Sequence, residues 1–246
     1  MPISPNQGST AGGTVVTITG VNLAGATAVR FGTRLATITA NTPTSITVVS
    51  PSGSGAVNVT VTTAGGTSNP LPFYYIGAPF KQSISPISGP SAGGQSVTIN
   101  GTGLYTASSV AFGSNTAVPA VVSDGQITVV TPSGTAGSVS VSVTTAGGTN
   151  NGFTYTYFDA PTLTSVTPAQ GPASSGTSVT LIGTALTSTS SVTFDGNPAH
   201  FTVINSSVVS ATAPAGTVGT VDVTVTTDGG SATAVGAYTY LAGPGI

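Results

Sequence analysis

The 246-residue chain contains no cysteine, no tryptophan and no glutamate. Without cysteine it has no disulfide, no thiolate metal ligand and no thiol nucleophile, and the redox compartment stays open. Charge is nearly as scarce. Arg30, Arg34 and Lys81 stand against Asp124, Asp159, Asp195, Asp222 and Asp228, and His200 is the single imidazole. Three basic residues cannot neutralise enough phosphates to hold nucleic acid, nor build a polybasic patch for an anionic membrane. No apolar run has the length of a bilayer span. The expected partners therefore exclude nucleic acid, and no membrane insertion is expected. The opening MPISPNQG lacks the basic and apolar regions of a secretory signal, which points to a processed start, another export route or release by lysis.

What is present is repetition. ISPNQGSTAGGTVVTITGVNL, ISPISGPSAGGQSVTINGTGL and VTPAQGPASSGTSVTLIGTAL begin at Ile3, Ile84 and Val166, a period of 81 to 82 residues. Within each copy the pattern has period two. Val57, Val59 and Val61 alternate with Asn58, Thr60 and Thr62, and Val221, Val223 and Val225 with Asp222, Thr224 and Thr226. That alternation sets one strand face on a core and the other toward water. Gly-Gly, Pro and Ser/Asn clusters interrupt the runs at short intervals, and no helical apolar stripe occurs. The fold class expected is all-β: three tandem immunoglobulin-like β-sandwich domains in a rod, with about seven short strands each. The domains are placed at residues 1–79, 80–161 and 162–246. Core positions recur at Leu23, Leu104 and Leu186; at Phe31, Phe112 and Phe194; and at Ile46, Ile127 and Val209. Tyr75, Tyr157 and Tyr240 close the copies, each able to seal a domain end with its ring while its hydroxyl finds a partner.

The motif ISPxxGSTAGGTxVTITGxNL…VxFG…VVSP…VTVTTAGGTSN…FxY resembles the IPT/TIG family, immunoglobulin-like domains of plexins, transcription factors and many bacterial surface proteins. It covers essentially the whole chain three times, with ASSG for TAGG and FDG for FG in the third copy. The resemblance implies the sandwich fold. For function it implies dimerisation modules, adhesin spacers or accessory domains of carbohydrate-active enzymes. The transcription-factor relatives add basic DNA-contacting surfaces, which this chain lacks.

Catalysis needs a nucleophile with a base, paired carboxylates or a metal. Asp195 and His200 in FDGNPAHF are the nearest approach to a pair. His200, however, stands where the other copies have Thr37 and Val118, so it reads as a surface-strand residue. No two aspartates show calcium-loop spacing; Asp228 fits turn chemistry, and Asp159 lies in a linker where it could assist a junction cation. The glycine pairs 12–13 and 93–94 lead into strands rather than helices, so they read as tight-turn residues and not as a phosphate loop. No catalytic, cofactor or metal residue is expected, and the chain is read as a non-enzyme. Tyr105 in GTGLYTASS, opposite Ala24 and Thr187, is the ligand-loop candidate, suited to stacking on a sugar or filling a partner's pocket.

The linkers carry the remaining information. IGAPFKQSISP and FDAPTLTSVTP have proline at their fourth and last positions, and LAGPGI followed by MPISP reproduces that register. Head-to-tail association is expected, with Leu241, Gly243, Pro244 and Ile246 of one chain beside Met1, Pro2, Ile3, Ser4 and Pro5 of the next. A heterologous contact of this kind builds an open filament. Gene duplication alone would leave the same register. The function read from the sequence is a structural protein forming an extracellular fibre or surface layer. The alternatives are an adhesin or carbohydrate-binding module whose partner is a surface polysaccharide or another protein, and a spacer of a phage or injection particle.

Overall fold

Runs of Val, Ile and Thr favour extended backbone, because a branched β-carbon packs well on a pleated surface. The computed structural model describes residues 2–174 and 176–243, and these contain strands and turns without a helix. In the first repeat Ile3–Ser4, Val15–Thr19, Ser45–Val49 and Thr37–Asn41 form one antiparallel sheet in that order. The second sheet runs Gln7–Ser9, Leu71–Ile76, Gly55–Thr63, Ala28–Phe31 and Arg34–Leu35, with Gly66–Thr67 paired to Gly55–Thr63. The chain thus serves both sheets within its first residues: Ile3 lies opposite Ile18, and Gln7–Ser9 runs parallel to Tyr74–Ile76.

The later repeats follow the same order. The middle one has Phe80–Ser85, Ser96–Thr102, Gln126–Val130 and Ala120–Ser123 in one sheet, and Ser88–Pro90, Gly148–Phe158, Gly137–Thr145, Ser109–Phe112 and Asn115–Ala117 in the other. The third has Thr162–Thr167, Ser178–Thr184, Val208–Thr212 and His200–Asn205, beside Gln170–Pro172, Gly230–Leu241, Gly219–Thr227, Ser191–Phe194 and Asn197–Pro198. Seven strands per repeat is an undercount. The first strand is divided between two sheets, and a strand of two or three residues follows each of Phe31, Phe112 and Phe194. Backbone contacts gather the chain into two compact units: Met1–Ser85 with Val97–Val129 and Ser140–Phe153, and Pro86–Ser96 with Val130–Val139 and Thr154–Ile246.

The period-two apolar positions point inward. Leu23, Leu104, Leu186 and the Phe and Ile/Val positions matched with them are at most 3% exposed. Each such side chain contributes about 1.5–3 kcal/mol by leaving water. Gly12 and Gly13 have φ of 82° and 83°, and Gly93 and Gly94 have 77° and 85°. A side chain at such angles would collide with its own backbone, so these pairs are turn glycines. The N–H of Gly13 donates to the Ser50 carbonyl, and that of Gly94 to the Thr131 carbonyl, at 2.9 Å each.

Each repeat closes with one tyrosine. The hydroxyls of Tyr75, Tyr157 and Tyr240 donate to the carbonyls of Pro51, Pro132 and Pro214, at 2.8 Å in every case. Their rings stand edge-on to Phe73, Tyr155 and Tyr238, with centroids 5.1 Å apart. Burial pushes the phenols of Tyr75, Tyr155, Tyr157 and Tyr240 above the ordinary 10.0. The folded state therefore keeps phenolic protons that the unfolded chain releases, so stability falls as pH rises past the unfolded value. Lys81 acts in the opposite sense, because burial lowers its pKa from 10.5. The third repeat has Tyr240 and no lysine, so its urea midpoint is expected to fall above about pH 10. A midpoint still level above that pH would refute the assignment.

Candidate assembly junctions

The side chains that chemistry would need are dispersed. His200 lies exposed on His200–Asn205, opposite Thr212 in the register. Asp195 sits in a left-handed turn with φ of 50°, its N–H donating to the Asp222 carbonyl at 2.9 Å. The other aspartates accept local hydrogen bonds. Asp222 takes the Gly236 N–H at 2.8 Å, and Asp124 takes those of Gly103 and Tyr105 at 3.1 and 3.3 Å. Among the described residues no three His, Cys, Asp or Glu side chains gather as a metal site.

The linkers, by contrast, are gripped. In the first compact unit the Asn150 side-chain amide donates to the Pro79 carbonyl at 2.6 Å. Gly147 is buried, and a β-carbon there would run into the carbonyl of Gly77. Lys81, 9% exposed, donates from Nζ to the Val141 carbonyl at 2.8 Å and lies 4.9 Å from the centroid of the Phe153 ring. In the second unit Gly229 is buried, and a β-carbon there would meet the Asp159 carbonyl. Ser91 Oγ donates to Asp159 Oδ1 at 3.2 Å, and Ser88 Oγ to Asp228 Oδ2 at 3.4 Å. Asp159, considered above as a cation ligand, thus serves the junction as a hydroxyl acceptor. Leu163, two residues past Pro161, packs on the third repeat's core.

The predicted interface residues fall in both units. Pro2 is exposed, and its carbonyl accepts the Thr19 N–H at 3.1 Å. Ile3 is half-buried against the first core, while Ser4 and Pro5 are exposed. Leu241, 43% exposed, lies opposite Pro172 and accepts the Ala173 N–H at 3.0 Å. Gly243 is exposed; Met1, Pro244 and Ile246 lie outside the described residues. Tyr105 is 73% exposed on a loop fixed by Asp124, whose backbone carbonyl also accepts the Leu104 N–H at 3.0 Å. Sequence reasoning missed Lys81, Gly147 and Gly229. A signal for Lys81 existed: aligned by linker, its position is Leu163 in the next copy, an apolar slot.

Three immunoglobulin-like domains in tandem define an all-β repeat protein. The chain belongs to the IPT/TIG domain family, whose model matches residues 1–75, 79–157 and 161–240. Among curated proteins no sequence matches it. A solved structure of the full plexin A4 extracellular region is similar at 23% identity and a TM-score of 0.50, over 87% of this chain and 20% of that one. This chain spans a fifth to a third of the plexin chains it matches. A Bacteroides ovatus surface glycan-binding protein, solved with a mixed-linkage heptasaccharide, shares 15% identity and a TM-score of 0.32 over 96% of this chain and 65% of its own. The titin I9–I11 tandem shares 9% identity and a TM-score of 0.33, over 96% and 95%. No helix among the described residues is long and apolar enough to cross a membrane.

Proposed function

We propose that this is a non-catalytic structural protein of the cell surface or extracellular space that assembles head-to-tail, with repeats at 1–79, 80–161 and 162–246. The observation that carries this reading is the junction that occurs twice within the chain. A buried glycine, Gly147 or Gly229, seats the carbonyl of the preceding linker, and polar side chains hold the linker beside it. A contact already used between successive domains can be used again between molecules. Outward strand faces rich in Thr and Ser give little charge repulsion and leave sheet edges without the usual charged protection. Negative-stain microscopy and sedimentation over a concentration series test it. The expected result is elongated particles far above 23.6 kDa that lengthen with concentration; a single 23.6 kDa species throughout refutes it.

The exposed Tyr105 on its fixed loop favours a second reading, a module that binds a polysaccharide or a protein partner. In that case the chain stays monomeric and Tyr105→Ala removes binding to the surface glycan without changing the melting temperature.

A further inference from the structure

The outward face of one sheet in the middle repeat carries side chains that its copies lack. Phe80–Ser85, Ser96–Thr102 and Gln126–Val130 are neighbours in that order. Across them Asn100 Nδ2 donates to Ser83 Oγ at 3.0 Å, and Gln126 Nε2 donates to Asn100 Oδ1 at 2.9 Å. This polar row spans about 10 Å, two strand spacings. Thr102, two residues along from Asn100, shares its face, and Phe80 lies opposite Thr102 with 61% exposure. The chain then turns at Gly103, whose β-carbon would stand 3.7 Å from Pro79 Cα, and reaches Tyr105, 73% exposed. The two carboxylate oxygens of Asp124 hold that turn through the N–H groups of Gly103 and Tyr105. One corner of the sheet thus presents two rings beside a row of oriented amides.

Folding does not require these residues. The third repeat keeps the register, with Thr162 opposite Thr184, Ser165 opposite Ile182, and the Leu186 N–H on the Ser206 carbonyl as the Leu104 N–H is on that of Asp124. In that register Thr162, Ile182, Thr187 and Val208 replace Phe80, Asn100, Tyr105 and Gln126. The first repeat has Thr19, Ala24 and Ser45 at the last three of these places. Threonine and branched aliphatics are ordinary strand residues, whereas asparagine is disfavoured there. An exposed phenylalanine keeps apolar surface in water that threonine would not.

We propose that this face binds a neutral polysaccharide, an inference that rests on the second reading above and extends it from one ring to a site. A pyranose has an apolar C–H face and a rim of hydroxyls. Phe80 and Tyr105 offer flat apolar surface to the first. Asn100 and Gln126 suit the second, because side-chain amides both donate and accept. Their mutual hydrogen bond orients both amides before a ligand arrives, which lowers the ordering cost of binding. The middle repeat's one basic residue, Lys81, turns inward to the Val141 carbonyl. A carboxylated or sulfated glycan would therefore find no counter-ion on this face and would meet the Asp124 carboxylate instead.

The test is affinity electrophoresis of the full chain in native gels containing hydroxyethylcellulose, galactomannan or dextran, beside a gel containing polygalacturonate. The variants take the third repeat's own residues: Phe80→Thr, Tyr105→Thr, and Asn100→Ile combined with Gln126→Val. Each substituted side chain is thus one that the same register already accommodates. At least one neutral polymer is expected to slow the parent, and polygalacturonate is not. Every variant is expected to weaken that retardation by about fivefold or more, with the melting temperature of the parent. If Tyr105→Thr alone weakens it while the other two variants bind like the parent, the loop reading stands and the face is overturned. Loss confined to variants that melt lower also overturns the face, and retardation by polygalacturonate overturns the neutral class. A parent that none of the neutral polymers slows overturns the glycan site altogether, leaving Tyr105 for a protein partner.

Discussion

Gly216→Ala is expected to cost the third repeat about 3 kcal/mol, near the upper end for overpacking a core. Gly216 lies under the Tyr240 ring, and a β-carbon built there stands 2.6 Å from Cζ and 2.8 Å from Cδ2. The ring has no direction in which to retreat. Its hydroxyl is tied to the Pro214 carbonyl at 2.8 Å, it stands edge-on to Tyr238 with ring centroids 5.1 Å apart, and it is 1% exposed. Either the hydrogen bond breaks or the aromatic pair separates. Tyr240→Phe keeps the ring and gives up only the hydroxyl contact, about 1 kcal/mol. Gly53 and Gly134 stand in the same relation to Tyr75 and Tyr157, so the same change there should lower the first or second repeat alone. Calorimetry checks this. For a domain of this size the Gly216→Ala transition should fall by roughly 10 °C or more. Adding Tyr240→Leu should recover part of the Gly216→Ala loss, because removing the ring removes the clash. An unchanged melting curve for Gly216→Ala would show that the ring does not hold the domain end.

Much of this fold was legible because its signals are local. Val57, Val59 and Val61 declare a buried face without reference to anything distant, and the spacing of Phe31, Phe112 and Phe194 sets the repeat. Two features left no such trace. The switch of the first strand from one sheet to the other depends on which edges stand open, and the parallel pairing of Gln7–Ser9 with Tyr74–Ile76 joins residues far apart in sequence. The burial of Lys81 contradicts its charge. A lysine in a linker reads as solvated, and here its stem lies along Phe153 while its ammonium finds a carbonyl. Gly65, Gly147 and Gly229 occupy the same position of the same turn, yet one is exposed and two are buried. The turn sequence cannot express that difference, because its cause is the neighbouring linker.

That difference makes the turn its own control. Gly147→Ala and Gly229→Ala are each expected to destabilise their junction by about 2 kcal/mol or more, while Gly65→Ala in the monomer stays within about 0.5 kcal/mol of the parent. A methyl at 147 meets the Gly77 carbonyl and one at 229 the Asp159 carbonyl, and in both places backbone rather than a flexible side-chain end must move. Displacing the first linker also strains the hydrogen bond from Asn150 to Pro79 and the seat of Lys81. Once the linker lifts, the Lys81 ammonium regains water and loses its lowered pKa. Hydrogen exchange reads the outcome directly. Amides of residues 80–85 should exchange faster in Gly147→Ala, and those of 162–167 in Gly229→Ala, while the strands of the first repeat keep their protection. In Gly65→Ala neither linker should change. Equal exchange in all three variants would mean that the glycines serve the turn alone and that the linkers are held by their hydrogen bonds.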